Sequence, residues 1–177
     1  HFSLSLFRVS LLPMVVSVFG AIPQPLMGHL GDRTNRVVVA AVGVVICGLF
    51  MSSIGLAPSA SVLALFLFLA ALGSSLFHPN GGGLATASAP DRSNLAVALF
   101  LTGGTVGMAA APITGTQIVE RFGLSHLWIL VFPSIILSCV LMCYRGLGQR
   151  DRHAHSDVHI TFALLRTAAL RPLWFLY

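Results

Sequence analysis

The chain has 177 residues, of which 56% are hydrophobic and only 8% are charged, and its formal net charge is +5 at pH 7. A soluble domain carries about 25% charged residues to solvate its surface, so this composition excludes an ordinary water-soluble enzyme or binding domain. The basic residues are all Arg, and because no basic face with interleaved aromatic side chains accompanies them, we do not expect nucleic acid as a partner.

Nearly uninterrupted apolar stretches separate a few groups of charged residues. Each stretch supplies the roughly 20 residues that a helix needs to cross the hydrocarbon core of a bilayer. None shows the polar and apolar alternation of a transmembrane β-strand. We therefore predict an all-α fold, a polytopic transmembrane helical bundle with about five full spans and the start of a sixth. In chain order the predicted spans are 6–28, 37–57, 60–87, 95–119 and 126–144, with 160–177 beginning the next.

The distribution of Arg predicts the orientation of these spans. All but two of the ten basic residues fall on one side, the exceptions being Arg8 and Arg121. Because basic residues collect on cytoplasmic loops, the loops at Asp32 and Asp91 are predicted to be cytoplasmic. We expect residues 1–144 to form an N-terminal transmembrane bundle lacking its first span. Residues 145–159 would be a central cytoplasmic linker, and residues 160–177 the start of a C-terminal bundle.

A glycine and charge motif occupies residues 28–36, between the first two spans, and is called the 28–36 motif below. Its glycines allow two helix ends to approach closely, and its charges can pair with a helix dipole or with an opposite charge. Such a cluster could hold two bundles together in one state and release them in another, as a transporter gate requires. The alternative is a solvated loop whose Arg residues only set the topology.

The 28–36 motif resembles the loop motif of the major facilitator superfamily, G-x-L-A-D-R-x-G-R. The matching positions are Gly28, Leu30, Asp32, Arg33 and Arg36. Gly31 stands in place of Ala, and Asn35 stands in place of Gly, a mild change because Asn also tolerates the left-handed backbone that Gly would supply. The resemblance implies a major facilitator fold, and it implies a cytoplasmic gate latch formed by Gly28, Asp32, Arg33 and Arg36.

Small residues recur every four positions along the fourth span and form one helix face. They are Gly103, Gly107, Ala111 and Gly115, with Pro112 adding a bend. A face of small residues permits close helix packing in lipid, and packing alone is one interpretation. The stretch also resembles the antiporter motif G-x-x-x-G-P-x-x-G of the same superfamily, with Ala111 in place of a Gly. That resemblance implies a face on which the bundles rock during transport.

The third span contains the sequence Phe-His-Pro-Asn-Gly at residues 77–81. Polar groups in the membrane interior, and broken helices around them, are typical of transport sites. We therefore predict that His78, Asn80 and Gln24 line a substrate or proton pathway. The alternative is that His78 and Asn80 only satisfy backbone groups freed by Pro79. The run is similar to the Phe-His-Pro-(Glu)-Gly segment of the fosmidomycin-resistance branch, where Asn80 stands at an acidic position, so His78 or a residue outside this segment would carry the proton.

These features together predict a secondary active transporter that exports a small organic solute or drug by proton-coupled alternating access. The expected partners are a small-molecule substrate, a coupling proton and the lipid bilayer, in the cytoplasmic membrane of a bacterium. We predict no enzyme activity, no cofactor and no metal site. Two alternatives remain open: a non-transporting membrane scaffold or sensor, and a membrane metalloenzyme that uses the linker histidines His153, His155 and His159.

Overall fold

The computed structural model describes residues 6–145, and all of the regular structure in that range is helical. The predicted linker beyond Arg145 and the segment 160–177 lie outside the described residues. Short 3₁₀ helices at Ser53–Leu56, Pro90–Arg92 and Leu124–Leu130 connect the main elements. The α-helices are α1 (Leu6–Ala21), α2 (Gln24–Arg33), α3 (Arg36–Ser52), α4 (Ala60–Ser88), α5 (Ser93–Phe122) and α6 (Val131–Cys143).

Five helical stretches within residues 6–145 are long and apolar enough to cross a membrane. They are Leu11–Arg33, Arg36–Leu56, Ala60–Ser88, Pro90–Phe122 and Leu124–Cys143. Their outer surfaces carry large apolar side chains, with Met108 at 79% exposure and Ile22 at 74%. Water would penalise such a surface and lipid does not. The predicted all-α class and the five predicted spans are confirmed.

The first span is interrupted at its prolines, and the 28–36 motif is mostly helical. The α-helix breaks at Ile22 and Pro23 and resumes as α2. Pro25 lies in the first turn of α2, where a backbone N–H has no intrahelical acceptor, so the missing N–H of Pro25 costs no hydrogen bond. Helix α2 then continues to Arg33, so only Thr34 and Asn35 separate it from α3. The expectation of a polar loop from residue 28 was wrong because polarity at a membrane surface does not by itself end a helix.

Helix α4 runs without interruption through Pro79, in agreement with the continuous span predicted for residues 60–87. Pro removes a single N–H from the ladder, and transmembrane helices tolerate this loss when neighbouring groups compensate. The side chain of Asn80 donates from Nδ2 to the carbonyl of Leu76 at 2.8 Å, in the same turn. The carbonyl that Pro79 leaves unpaired belongs to Ser75, four residues earlier, so Asn80 supports the turn without replacing the missing bond.

Helices α3 and α4 form the centre of the bundle. A Cβ at Gly43 would lie 2.7 Å from the carbonyl oxygen of Gly73, and one at Gly73 would lie 2.8 Å from that of Gly43. Small residues let backbones approach this closely in lipid, where van der Waals contact drives association. The buried apolar side chains of the two helices surround this crossing and include Val37, Val39, Ala40, Ala41, Val44, Ala70 and Ala71.

Helices α5 and α6 lie at the edges of this centre. Helix α6 joins α3 through Ser138, whose Oγ donates to the Ala41 carbonyl at 3.2 Å. Helix α5 packs on α4 through Phe100, whose ring lies 5.8 Å from that of Phe77, but α5 has no buried residue. Gly123, at φ 90°, ends α5 in a conformation that a residue with a side chain would adopt only with strain.

Candidate functional site

An ion pair joins the two helices that flank Thr34 and Asn35. Arg36 contacts Asp32 Oδ1 through Nη2 at 2.6 Å and Nε at 2.8 Å. Asp32 lies in the last turn of α2, where the helix dipole disfavours a carboxylate, and Arg36 begins α3, where the dipole disfavours a cation. The pair therefore offsets two unfavourable placements. The side chain of Asp32 keeps 43% of its surface exposed, whereas that of Arg36 keeps 13%.

Arg36 is covered because its side chain lies against α4. A Cβ at Gly83 would overlap Nη1 of Arg36 and lie 2.8 Å from its Cζ. One turn earlier on α4, the Cβ of Pro79 lies close to Gly28, since a Cβ added to Gly28 would be 3.3 Å from it. Two sequence features predicted separately, the 28–36 motif and the third-span segment that begins with the 77–81 run, thus form one site at the predicted cytoplasmic end of the bundle. The sequence carries no signal that these two features meet.

Two other residues of the motif have different surroundings. Arg33 is exposed. Asn35 caps α3, with its Oδ1 accepting from the backbone N–H of Val37 at 3.0 Å and of Val38 at 3.2 Å. Its backbone is extended, at φ −144° and ψ 113°, so the left-handed conformation that Asn tolerates is not used here. An N-cap requires extended backbone, and Asn is among the best residues for that position.

The structure places the three predicted pathway residues in separate environments. Asn80 is fully buried and faces α2. His78, two positions earlier on α4, is exposed, with its ring 5.6 Å from that of Phe77. Gln24 donates from Nε2 to the Gly20 carbonyl at 2.9 Å and so bridges the break between α1 and α2. A pathway role for these residues stays a prediction.

The small-residue face of α5 is open within residues 6–145. A Cβ at Gly103, Gly107 or Gly115 would meet no described atom within 4 Å. Toward the end of the bundle opposite Asp32, Ala111, Pro112 and Gly115 line an apolar cavity of about 690 Å³. Residues of α3 and of the segment before α6 complete the lining of this cavity. The packing role predicted for this face stays a prediction, and its partner would come from outside the described range.

Comparison with known proteins identifies the family. The sequence model described as Major Facilitator Superfamily matches residues 1–177. This chain belongs to the major facilitator superfamily. The resemblance of the 28–36 motif is thereby confirmed, and the family together with the five apolar helices makes this an integral, multi-pass membrane protein.

Several curated major facilitator proteins are similar to this chain. The uncharacterized MFS-type transporter YfnC of Bacillus subtilis is 27% identical over 68% of this chain and 30% of its own length. The fosmidomycin resistance protein of Escherichia coli is 24% identical over 80% of this chain and 35% of its own. The multidrug resistance protein MdtG of Citrobacter koseri is 31% identical over 72% of this chain and 31% of its own length. The chain thus spans about a third of these relatives, and no solved structure matches it.

Proposed function

We propose that the complete protein carrying this segment is a secondary active transporter that exports a small organic solute or drug by proton-coupled alternating access. The observation that carries the proposal is the 28–36 motif packed on α4, with its ion pair at one end of the membrane spans. The names of two relatives, a fosmidomycin resistance protein and a multidrug resistance protein, support a drug or drug-like substrate. The bacterial relatives support the cytoplasmic membrane as the location.

The exposed part of the ion pair suits it to a gate. Arg36 is held between Asp32 and α4, while Asp32 and Arg33 present a carboxylate and a guanidinium to the surroundings. A facing bundle with a complementary charge or a helix terminus could bind this surface in one state and leave it in the other. The free energy of that contact would then bias the equilibrium between the two states.

Proton coupling requires a group that titrates. The carboxamide of Asn80 cannot take up a proton in the physiological range, because amides have no titratable group there. Imidazole side chains commonly serve as proton shuttles, and that of His78 lies at the same level of α4 on an exposed surface. We therefore assign proton transfer to His78 or to a residue outside this segment.

A flux experiment on the complete protein tests the proposal. The purified protein in proteoliposomes should accumulate or release a drug such as fosmidomycin only when a pH gradient is imposed, and the drug should in turn drive proton movement. Both readouts together distinguish a coupled transporter from a leak. A folded protein that moves no member of a broad drug panel under any gradient would contradict the proposal and favour the scaffold or sensor.

The contact between Arg36 and Gly83 gives a residue-level prediction for the same assay. Gly83→Ala should lower the transport rate, because the new methyl group displaces the guanidinium and disturbs its bond to Asp32. We expect a loss of about five-fold or more, at the lower end of the coupling between sites in allosteric proteins. Gly82→Ala is the matched control, since a Cβ at Gly82 meets nothing within 4 Å and both changes favour the helix equally. Equal rates for the two variants would show that the packing of Arg36 on α4 is unimportant for transport.

A further inference from the structure

Asn80 makes the polar contact that joins α2 to α4. Its Nδ2 donates to the carbonyl of Met27 on α2 at 3.0 Å and to the carbonyl of Leu76 on its own helix at 2.8 Å. The residue has 0% exposure, so water does not compete for these bonds. A buried amide that links two helices fixes their relative position more tightly than apolar contact alone, because its bonds are directional.

The other end of the amide meets Gly31. A Cβ at Gly31 would overlap Oδ1 of Asn80 and lie 2.7 Å from its Cγ. Within the described range Oδ1 has no hydrogen-bond partner, and it faces the Cα of Gly31, where only a weak C–H contact is available. The side chain of Asn80 therefore occupies the space that a side chain at position 31 would need.

The chemistry of the site requires a neutral donor at position 80. Two carbonyl oxygens, of Met27 and Leu76, converge on Nδ2. An ionised carboxylate there would present only acceptors to these oxygens and would bury an unpaired charge, which is strongly unfavourable. The reversed amide would likewise place Oδ1 against both carbonyls, so the observed orientation is the one that the surroundings permit.

Two of the positions at which this chain departs from the family patterns, Gly31 and Asn80, are thus in contact. Gly31 replaces the Ala of the loop motif, and Asn80 replaces the acidic residue of the Phe-His-Pro segment. We infer that Gly31 and Asn80 form a matched pair that positions the 28–36 motif on α4, with the missing side chain at 31 admitting the amide at 80. Asn80 acts on the ion pair through α2, so it is a positioning residue. The inference rests on the proposed function for its transport readout only.

A double-mutant cycle in the complete protein tests this pairing. Gly31→Ala alone should lower both the melting temperature in detergent and the turnover in proteoliposomes, because its methyl group collides with Oδ1. Adding Asn80→Ala should restore turnover at least about five-fold over Gly31→Ala alone, a coupling typical of residues in contact. The Michaelis constant for the drug should stay within about two-fold throughout, because the pair positions a gate and does not bind substrate.

Ser75 provides the matched control for this rescue. Ser75 is also a polar residue of α4 with 0% exposure, but its Oγ donates to Leu72 of its own helix. Ser75→Ala should therefore not rescue Gly31→Ala. Independent, additive effects of Gly31→Ala and Asn80→Ala on melting and turnover would overturn the inference, as would equal rescue by Ser75→Ala.

Two further outcomes are informative. If the Gly31→Ala protein does not accumulate in the membrane, the amount of inserted protein becomes the readout. Adding Asn80→Ala to Gly31→Ala should then restore the amount of inserted protein, whereas adding Ser75→Ala should not. Failure of Asn80→Ala to restore insertion would overturn the pairing. If the cycle shows coupling in melting temperature while no variant transports any drug, the pairing stands and the proposed transport function fails.

Discussion

Replacing Gly43 by Ala should destabilise the centre of the bundle, where α3 crosses α4. The new Cβ would lie 2.7 Å from the Gly73 carbonyl oxygen and 2.8 Å from both Leu76 Cβ and the Phe77 backbone nitrogen. Two of these three atoms belong to the backbone, so a rotamer change cannot relieve the overlap and α3 must move away from α4. We expect a loss of about 1–3 kcal/mol in the free energy of unfolding, the usual range for overpacking in a core.

Thermal unfolding of the complete protein in detergent measures this loss, with Gly20→Ala as the matched control. Gly20 also lies inside a helix of a membrane span, but a Cβ there would make ordinary contacts of 3.8 and 4.0 Å with Ala71. Both changes replace Gly by Ala within a helix, so their difference reports mainly the crossing of α3 and α4. A melting temperature for Gly43→Ala at or above that of Gly20→Ala would contradict the described packing.

Asp32→Asn should reduce transport by about ten-fold while leaving insertion into the membrane intact, a change within the range of coupling between distant sites. Asn still accepts a bond from Arg36, but the ion pair is lost, and Asn offers a facing bundle no anion. Asp32 is partly exposed, at 43%, so its role in folding is small and its expected effect is on the gate.

Asp91→Asn is the control for this second effect. Asp91 is an exposed acid in the other short connection on the predicted cytoplasmic side, between α4 and α5, where the structure shows no ion pair among the described residues. Loss of a surface charge on that side would affect both variants, whereas loss of the gate would affect only Asp32→Asn. If the Asp32→Asn and Asp91→Asn variants transport at the same rate, the motif has no gate role, and its charges only set the topology of the spans.

Much of the fold could be predicted from the sequence because lipid imposes simple rules. A span needs a continuous apolar run, and the runs between Arg36 and Leu56 and between Ala60 and Ser88 match the predicted 37–57 and 60–87 closely. Helix ends were less predictable, since α2 continues to Arg33 through polar residues. The backbone ladder continues through these polar residues, and the N–H of Thr34 still donates to the carbonyls of Leu30 and Gly31.

The candidate site was predictable in its parts and not in its assembly. The residues of the 28–36 motif and of the 77–81 run could be singled out by their polarity and spacing. Their contact depends on how α2 crosses α4, which brings Gly31 to Asn80 and Arg36 to Gly83. Helical periodicity shows which residues share a face, but it does not show which neighbouring helix that face meets.

The sequence by itself determined that this protein is a helical membrane protein of the major facilitator superfamily, because composition, span length and the 28–36 motif are local properties. Only the tertiary structure decided that Asn80 is a buried bridge to α2, that His78 two residues away is exposed, and that Gly31 and Gly83 make room for the side chains of Asn80 and Arg36. The physical reason is that the space beside a glycine is defined by the neighbouring helix. The chain specifies that neighbour only through the packing of the whole bundle.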